Sequence, residues 1–209
     1  MAFRVAVLIS GRGSNLQALV EHFTRSEGVP GPQVVCVASS RADAPGLERA
    51  RNAGIETAVF AQDDHADRDA RDAALAGWLE GHDVDLVVLA GFMEILGGAF
   101  IRRFEGRLIN VHPSLLPAFP GVRAIEQALD YGVKVMGVTV HYVDEGVDTG
   151  PVVLQEAFEL PYARDVEEIE RRVHEIEHRL LPLAVELIAS GAVTRDESNP
   201  RLVRIADKT

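Results

Sequence analysis

Short apolar runs alternate with amphipathic stretches along the first half of the chain. Phe3–Ser10, Gln33–Ser39, Glu56–Phe60, Val84–Ala90 and Leu108–Val111 are strand-length runs rich in Val, Leu and Ile. They lack a strict in-out alternation, which is the pattern of strands covered on both faces. Between them, Ser14–Arg25, Gly46–Ala53, Ala66–Glu80 and Gly98–Phe104 read as helices. Leu16, Leu19, Val20 and Phe23 set the apolar face of the first. Strands alternating with helices predict right-handed βαβ crossovers and a mostly parallel sheet, hence an α/β fold.

The pattern changes after Pro113, Pro117 and Pro120. Ala124–Asp130 is one more short helix, and then Val133–Val143 and Pro151–Leu160 are long extended segments joined by DEGVDTG. That linker is turn chemistry, so the pair predicts an antiparallel, hairpin-like element added to the sheet. A last helix is expected to start at Asp165, where Asp165 and Glu168 have capping-box spacing. Val166, Ile169, Val173, Ile176 and Leu180 give it one apolar stripe. Pro182 is a candidate kink, Gly191 should end the region, and the polar residues beyond it read as a peripheral tail. The domain reading is one unit over 1–190, with halves of about 1–100 and 101–190, followed by a tail over 191–209.

Bulk properties narrow the function classes. The chain has 209 residues, 47% apolar and 25% charged, with a net charge of −11. A chain of this length buries a substantial core. No basic cluster suggests a nucleic-acid surface, and no run approaches the ~20 apolar residues of a membrane span. The N-terminal apolar run is too short for a signal peptide. With Cys36 as the only cysteine, no internal disulfide forms, and Cys36 reads as a small buried strand residue. The expected location is the cytoplasm.

Two stretches carry candidate chemistry. Ser10-Gly11-Arg12-Gly13-Ser14-Asn15 joins the first strand to the first helix. Glycines let successive N–H groups converge, and a helix N-terminus adds unpaired donors and partial positive charge. Leu16 stands where a dinucleotide fingerprint needs its third glycine, and no Gly-Lys-Ser/Thr follows as in a P-loop. The loop therefore suits a mononucleotide or sugar phosphate, or is a plain strand-to-helix turn. In INVHPSLLPAFPG, Asn110 and His112 sit two apart on a strand end and so share a side. Ligands gather beyond such C-terminal ends. Asp148, in DEGVDTG, is the candidate third member, since a carboxylate beside an imidazole favours its protonated form. An amide and an imidazolium would make two donors for one oxyanion. Ser114 lacks a nucleophile elbow, and His112, His141, Asp144 and Asp148 lack zinc or calcium spacing, so no metal is expected.

SGRGSNLQAL, AGFMEIL, INVHPSLLPAFPG and VTVHYVDEGVDTGPVVLQ together resemble the phosphoribosylglycinamide formyltransferase family, in order from Val5 to about Leu183. These are folate-dependent transformylases of purine synthesis. The resemblance implies a single-domain, Rossmann-like three-layer αβα sandwich. It also implies formyl transfer from 10-formyltetrahydrofolate, as co-substrate, to the amine of glycinamide ribonucleotide, with small-molecule substrates as partners, no nucleic acid or membrane, and a monomer or homodimer. Asn110, His112 and Asp148 match the catalytic trio. Gly11, Arg12, Gly13, Ser14 and Asn15 match the phosphate loop, and Glu177 matches a ribose contact. Phe92, Met93, Glu94, Ile95, Leu96, Val143 and Asp144 match folate-pocket segments, and Arg68 an arginine near the folate's glutamate tail. Thr139 and His141 are implied supports. Relatives usually carry Arg or Lys where this chain has Glu94, which bears on how a folate polyglutamate tail is held. The trio is shared with the deformylase and with formyltransferases acting on other amines, so the acceptor rests on the phosphate loop. A non-catalytic sugar-phosphate binding module would need that loop alone, and Leu16 argues against a nicotinamide oxidoreductase.

Overall fold

The structure, a computed structural model, describes residues 2–24, 31–160 and 165–206. It is an α/β fold whose seven-stranded sheet runs in the order β3-β2-β1-β4-β5-β6-β7. The chain divides into two compact units, Met1–Ile109 and Asn110–Thr209.

The first unit is the alternating half. Strands β1 (Phe3–Ile9), β2 (Pro32–Ser39), β3 (Glu56–Val59) and β4 (Leu86–Leu89) are separated by α1 (Ser14–Thr24), α2 (Pro45–Asn52) and α3 (Arg68–Gly81). Each pairing is parallel: β1 with β2, β1 with β4, and β2 with β3. Val5 to Ile9 and Leu86 to Val88 are fully buried, which is why these runs are continuous rather than alternating. Leu16 and Leu19 of α1, Leu47 and Ala50 of α2, and Leu75 and Leu79 of α3 complete the core. Helix boundaries follow local chemistry. Pro45 opens α2, where its missing N–H costs nothing. Helix α3 starts at Arg68 rather than Ala66 because Asp67 caps it, accepting the Ala70 N–H at 2.8 Å. Arg25, expected to end α1, lies outside the described residues. Helix α4 (Gly98–Arg103) closes the unit before β5 (Leu108–His112).

The second unit contains α5 (Ala124–Tyr131), the antiparallel pair β6 (Val135–Tyr142) and β7 (Val152–Glu159), and the long helix α6 (Val166–Ala189). Asp165 caps α6, accepting from the N–H groups of Glu167 and Glu168 at 3.0 and 3.3 Å. The helix runs unbroken through Pro182, and Ile169, Val173, Leu180, Leu181 and Val185 are buried.

The polar tail holds more structure than its composition suggests. Val193–Arg195 (β8) and Val203–Ile205 (β9) pair antiparallel. Asp196 organises their turn, accepting from the N–H groups of Ser198 and Asn199 and from the Arg204 guanidinium. The Arg195 guanidinium lies 4.2 Å over the Tyr142 ring, and Arg201 donates to the Thr149 carbonyl at 2.9 Å. Strands three residues long fall below the window in which periodicity is visible.

Candidate active site

In the first unit the Ser10–Asn15 loop leads directly into α1. Gly13 has φ 71°, and a Cβ there would sit 2.7 Å from the Gly46 Cα. Only glycine permits that approach, which lets the Gly46 N–H donate to the Gly11 carbonyl at 3.0 Å. Arg49 adds a bond from its Nε to the Arg12 carbonyl at 2.9 Å. The first turn of α2 thus fixes the loop from outside. The N–H groups at the start of α1 have no acceptor within their own helix. Asn15 is buried, while the Arg12 side chain is exposed.

The Gly91–Leu96 turn belongs to the same unit and is bonded to that loop. Ser10 N–H donates to the Gly91 carbonyl at 3.0 Å, and Met93 N–H donates to the Ser10 hydroxyl at 2.9 Å. Met93 and Ile95 are 72% and 70% exposed. Phe92 and Glu94 are half-buried and Leu96 is buried. Arg68 is half-exposed, 3.7 Å from Asp69.

In the second unit the structure gathers Asn110, His112, His141 and Asp148. Strand β5 presents Asn110 and His112, β6 presents His141, and the turn after β6 presents Asp148. Asp148 is the hub. Its Oδ2 lies 3.3 Å from His112 Nδ1 and accepts the Gly121 N–H at 2.7 Å. Its Oδ1 accepts from Asn110 Nδ2 at 3.4 Å and lies 3.5 Å from His141 Nε2. Burial alone would raise the Asp148 carboxyl. Hydrogen bonding from His141 and from the Gly121 N–H, and the charges of His112 and His141, outweigh it and hold the carboxyl below the usual range.

Proton placement follows from the partners. His112 Nε2 is 2.8 Å from the Phe119 carbonyl, and His141 Nδ1 is 2.8 Å from the Tyr142 carbonyl. A carbonyl only accepts, so both of those nitrogens carry a proton. Asn110 Nδ2 also reaches His141 Nε2 at 3.3 Å. The Asn110 amide and the His112 Nε2–H are therefore engaged by protein groups rather than aimed at one empty point. Asp148 and Phe119 have φ 52° and 51°, a region that costs non-glycine residues about 1–3 kcal/mol.

Thr139 and Asp144 sit beside this cluster. Thr139 donates to the Ser114 carbonyl at 2.7 Å and accepts from the Leu116 N–H and from Gln155 Nε2. It pins the Ser114–Leu116 backbone that follows His112. Asp144 closes the Asp148 turn, accepting from the Gly146 N–H and the Thr149 hydroxyl at 3.1 and 2.6 Å. Val143 is half-buried, and Glu177 of α6 is buried. Sequence reasoning did not single out Phe119, Gly121 or Gln155, which contribute through main-chain groups or through a contact 39 positions away in the chain.

Comparison with known proteins decides the family. Residues 3–185 match the formyl transferase family. The chain belongs to that family. It is 39% identical to the phosphoribosylglycinamide formyltransferase of Bacillus subtilis, over 88% of this chain and 93% of that protein. It is 47% identical to the trifunctional purine biosynthetic protein adenosine-3 of Drosophila pseudoobscura pseudoobscura, over 92% of this chain but only 14% of that protein's length. Among solved structures, glycinamide ribonucleotide transformylase 1 from Symbiobacterium toebii superposes with a TM-score of 0.92 at 47% identity, covering 99% of this chain and 95% of that one. These similarities take in both the Gly-rich loop and the Asp148 cluster of this formyl transferase family member.

Proposed function

We propose that this formyl transferase family member transfers the formyl group of 10-formyltetrahydrofolate to the amine of glycinamide ribonucleotide in purine synthesis. The observation that carries the reading is the convergence of Asn110, His112 and His141 on one ionised carboxylate, Asp148. Relatives named phosphoribosylglycinamide formyltransferase support the acceptor. The Gly11–Asn15 loop is assigned the phosphate and Glu177 the ribose. The 92–96 turn, with Val143 and Asp144, is assigned the folate, and Arg68 the folate's glutamate tail.

The amine attacks the formyl carbon directly, and its lone pair forms the new C–N bond. Negative charge passes to the formyl oxygen, where the N–H groups of His112 and Asn110 stabilise it. The formyl oxygen takes the place of the Phe119 carbonyl as acceptor of the His112 Nε2–H. The left-handed backbone at Phe119 makes that exchange cheaper than it would be from a relaxed loop. Collapse breaks the bond to the folate nitrogen, the folate nitrogen gains a proton, and the amine loses one. Asp148 holds the imidazole ring and accepts or relays that proton. The reading calls for no metal.

Absorbance at the folate chromophore, followed with and without glycinamide ribonucleotide, tests the reading. Consumption of 10-formyltetrahydrofolate should require the ribonucleotide. Equal consumption without it would make the protein a deformylase instead.

A further inference from the structure

The turn from Gly91 to Gly97 carries two large apolar side chains, Met93 and Ile95, that are mostly exposed. Burial of those side chains cannot be what holds it. Beside the buried Leu96, polar bonds hold it, and they come at both ends. Ser10 fastens the start through Gly91 and Met93. Helix α3 fastens the end: Asp72 Oδ2 accepts the Gly97 N–H at 2.6 Å. Between these points Arg71 donates from Nη1 to Glu94 Oε2 at 3.1 Å and from Nη2 to the Ile95 carbonyl at 3.0 Å. Arg71 is itself 1% exposed, with Nε and Nη2 both bonded to Asp72 Oδ1 at 3.0 and 2.6 Å.

We propose that Arg71 is the positioning residue of the folate-facing turn, with Glu94 as its point of attachment. The proposal rests on the folate assignment of residues 92–96 made above. A guanidinium has five donors in a rigid fork, so one side chain grips a carboxylate and a main-chain carbonyl at once. An ammonium cannot span both. The bond to the Ile95 carbonyl fixes a peptide plane in the middle of the turn. The flat heterocycle of a folate would be recognised there by main-chain groups, so the orientation of that plane sets affinity. Glu94 is then part of the scaffold rather than an unfavourable charge facing the folate tail. A basic residue placed at 94 alone would meet the buried Arg71 guanidinium instead of a carboxylate, and the turn would be pushed off its fastening.

The full-length protein tests this through tetrahydrofolate binding by calorimetry, together with steady-state kinetics on both substrates. Wild type should bind tetrahydrofolate; no binding would end both the folate assignment and this inference. Given binding, Glu94→Gln should raise the folate Kd and KM a few-fold, and Arg71→Lys roughly tenfold. The KM for glycinamide ribonucleotide should change less than twofold. Glu94→Arg should weaken the folate as well. The double variant Arg71→Lys/Glu94→Gln should be less than additive, because the two act through one bond. Additive effects, equal shifts for both substrates, or tighter folate binding by Glu94→Arg would each overturn the inference while leaving the folate assignment standing. Glu94 is 37% exposed in its side chain, so its variants report even where a change at buried Arg71 prevents folding.

Discussion

Asp148 and Asp72 are both enclosed carboxylates, and they are built in opposite ways. Asp72 is matched by a permanent cation, Arg71, at 2.6 Å, on a regular helix. Asp148 is matched by two imidazoles at 3.3 and 3.5 Å, an amide at 3.4 Å and one short N–H bond, on a left-handed turn. The first arrangement is held by short bonds and has no loose partner. In the second, three of the four partners stand at 3.3 to 3.5 Å, bonds long enough to be exchanged. Burial and countercharge build a strut in one place and the proposed reactive centre in the other. What separates the two is how closely the partners hold the carboxylate and whether the backbone is relaxed.

The difference is broken most sharply at His112. His112→Ala should lower turnover about a thousand-fold, the loss seen when an oxyanion donor is removed, with substrate KM values nearly unchanged. A comparable loss in KM alone would make His112 a binding residue and erase the contrast. Asp148→Asn should follow, lowering turnover about a hundred-fold by loosening the hold on His112.

The Asp148 carboxyl is held below its usual range, so its charge-dependent stabilisation is complete above the unfolded value near pH ~3.9. That stabilisation is lost only as pH falls through the lower folded value. Any loss of activity between pH 5 and 7 must then belong to another group and should persist in Asp148→Asn. If the acid limb disappears in that variant, Asp148 is titrating there and the assignment fails.

Much of this could be read from the chain itself. The continuous apolar runs announced parallel, doubly covered strands, and DEGVDTG announced the antiparallel return. Spacing placed Asn110 and His112 on one side of a strand. The other members of that cluster were less legible, because Phe119 and Gly121 act through main-chain atoms that carry no side-chain signature. Arg71 was legible in principle. It lies four and eight residues before Leu75 and Leu79, in register with the buried stripe of α3. A charged residue on an apolar stripe signals a buried partner, but RDARDA reads first as a solvated helix start. The engagement of the His112 Nε2–H by the Phe119 carbonyl depends on a loop geometry that no periodicity encodes.

A smaller effect tests whether the Asp148 arrangement depends on support from farther along the chain. Arg195 and Arg201 of the C-terminal hairpin contact Tyr142 and Thr149, which flank the Asp148 turn. Arg195→Ala should lose a cation–π contact of about 1 kcal/mol. Differential scanning calorimetry should show a drop of roughly 2–4 °C in Tm. Turnover should fall two- to three-fold beyond what that destabilisation explains at a temperature where the variant is fully folded. Unchanged turnover would confine the hairpin to a structural role.

Cys36 supplies the limiting case of the comparison, a buried titratable group whose surroundings favour its neutral form. Burial pushes its thiol up to about 12, the Glu56 carboxylate pushes the same way, and Arg4 only partly opposes them. The thiolate is therefore a minute fraction at pH 8, and the sulfur is inaccessible in the core of β2. Iodoacetamide should leave the native protein essentially unmodified over hours and should label it fully in denaturant. The labelling rate in Arg71→Lys then reports how far the Arg71–Asp72 fork holds the first unit closed, since Cys36 and Arg71 belong to the same unit. Removing the fork should raise the rate. A rate unchanged from wild type would mean that the fork is no strut for that unit.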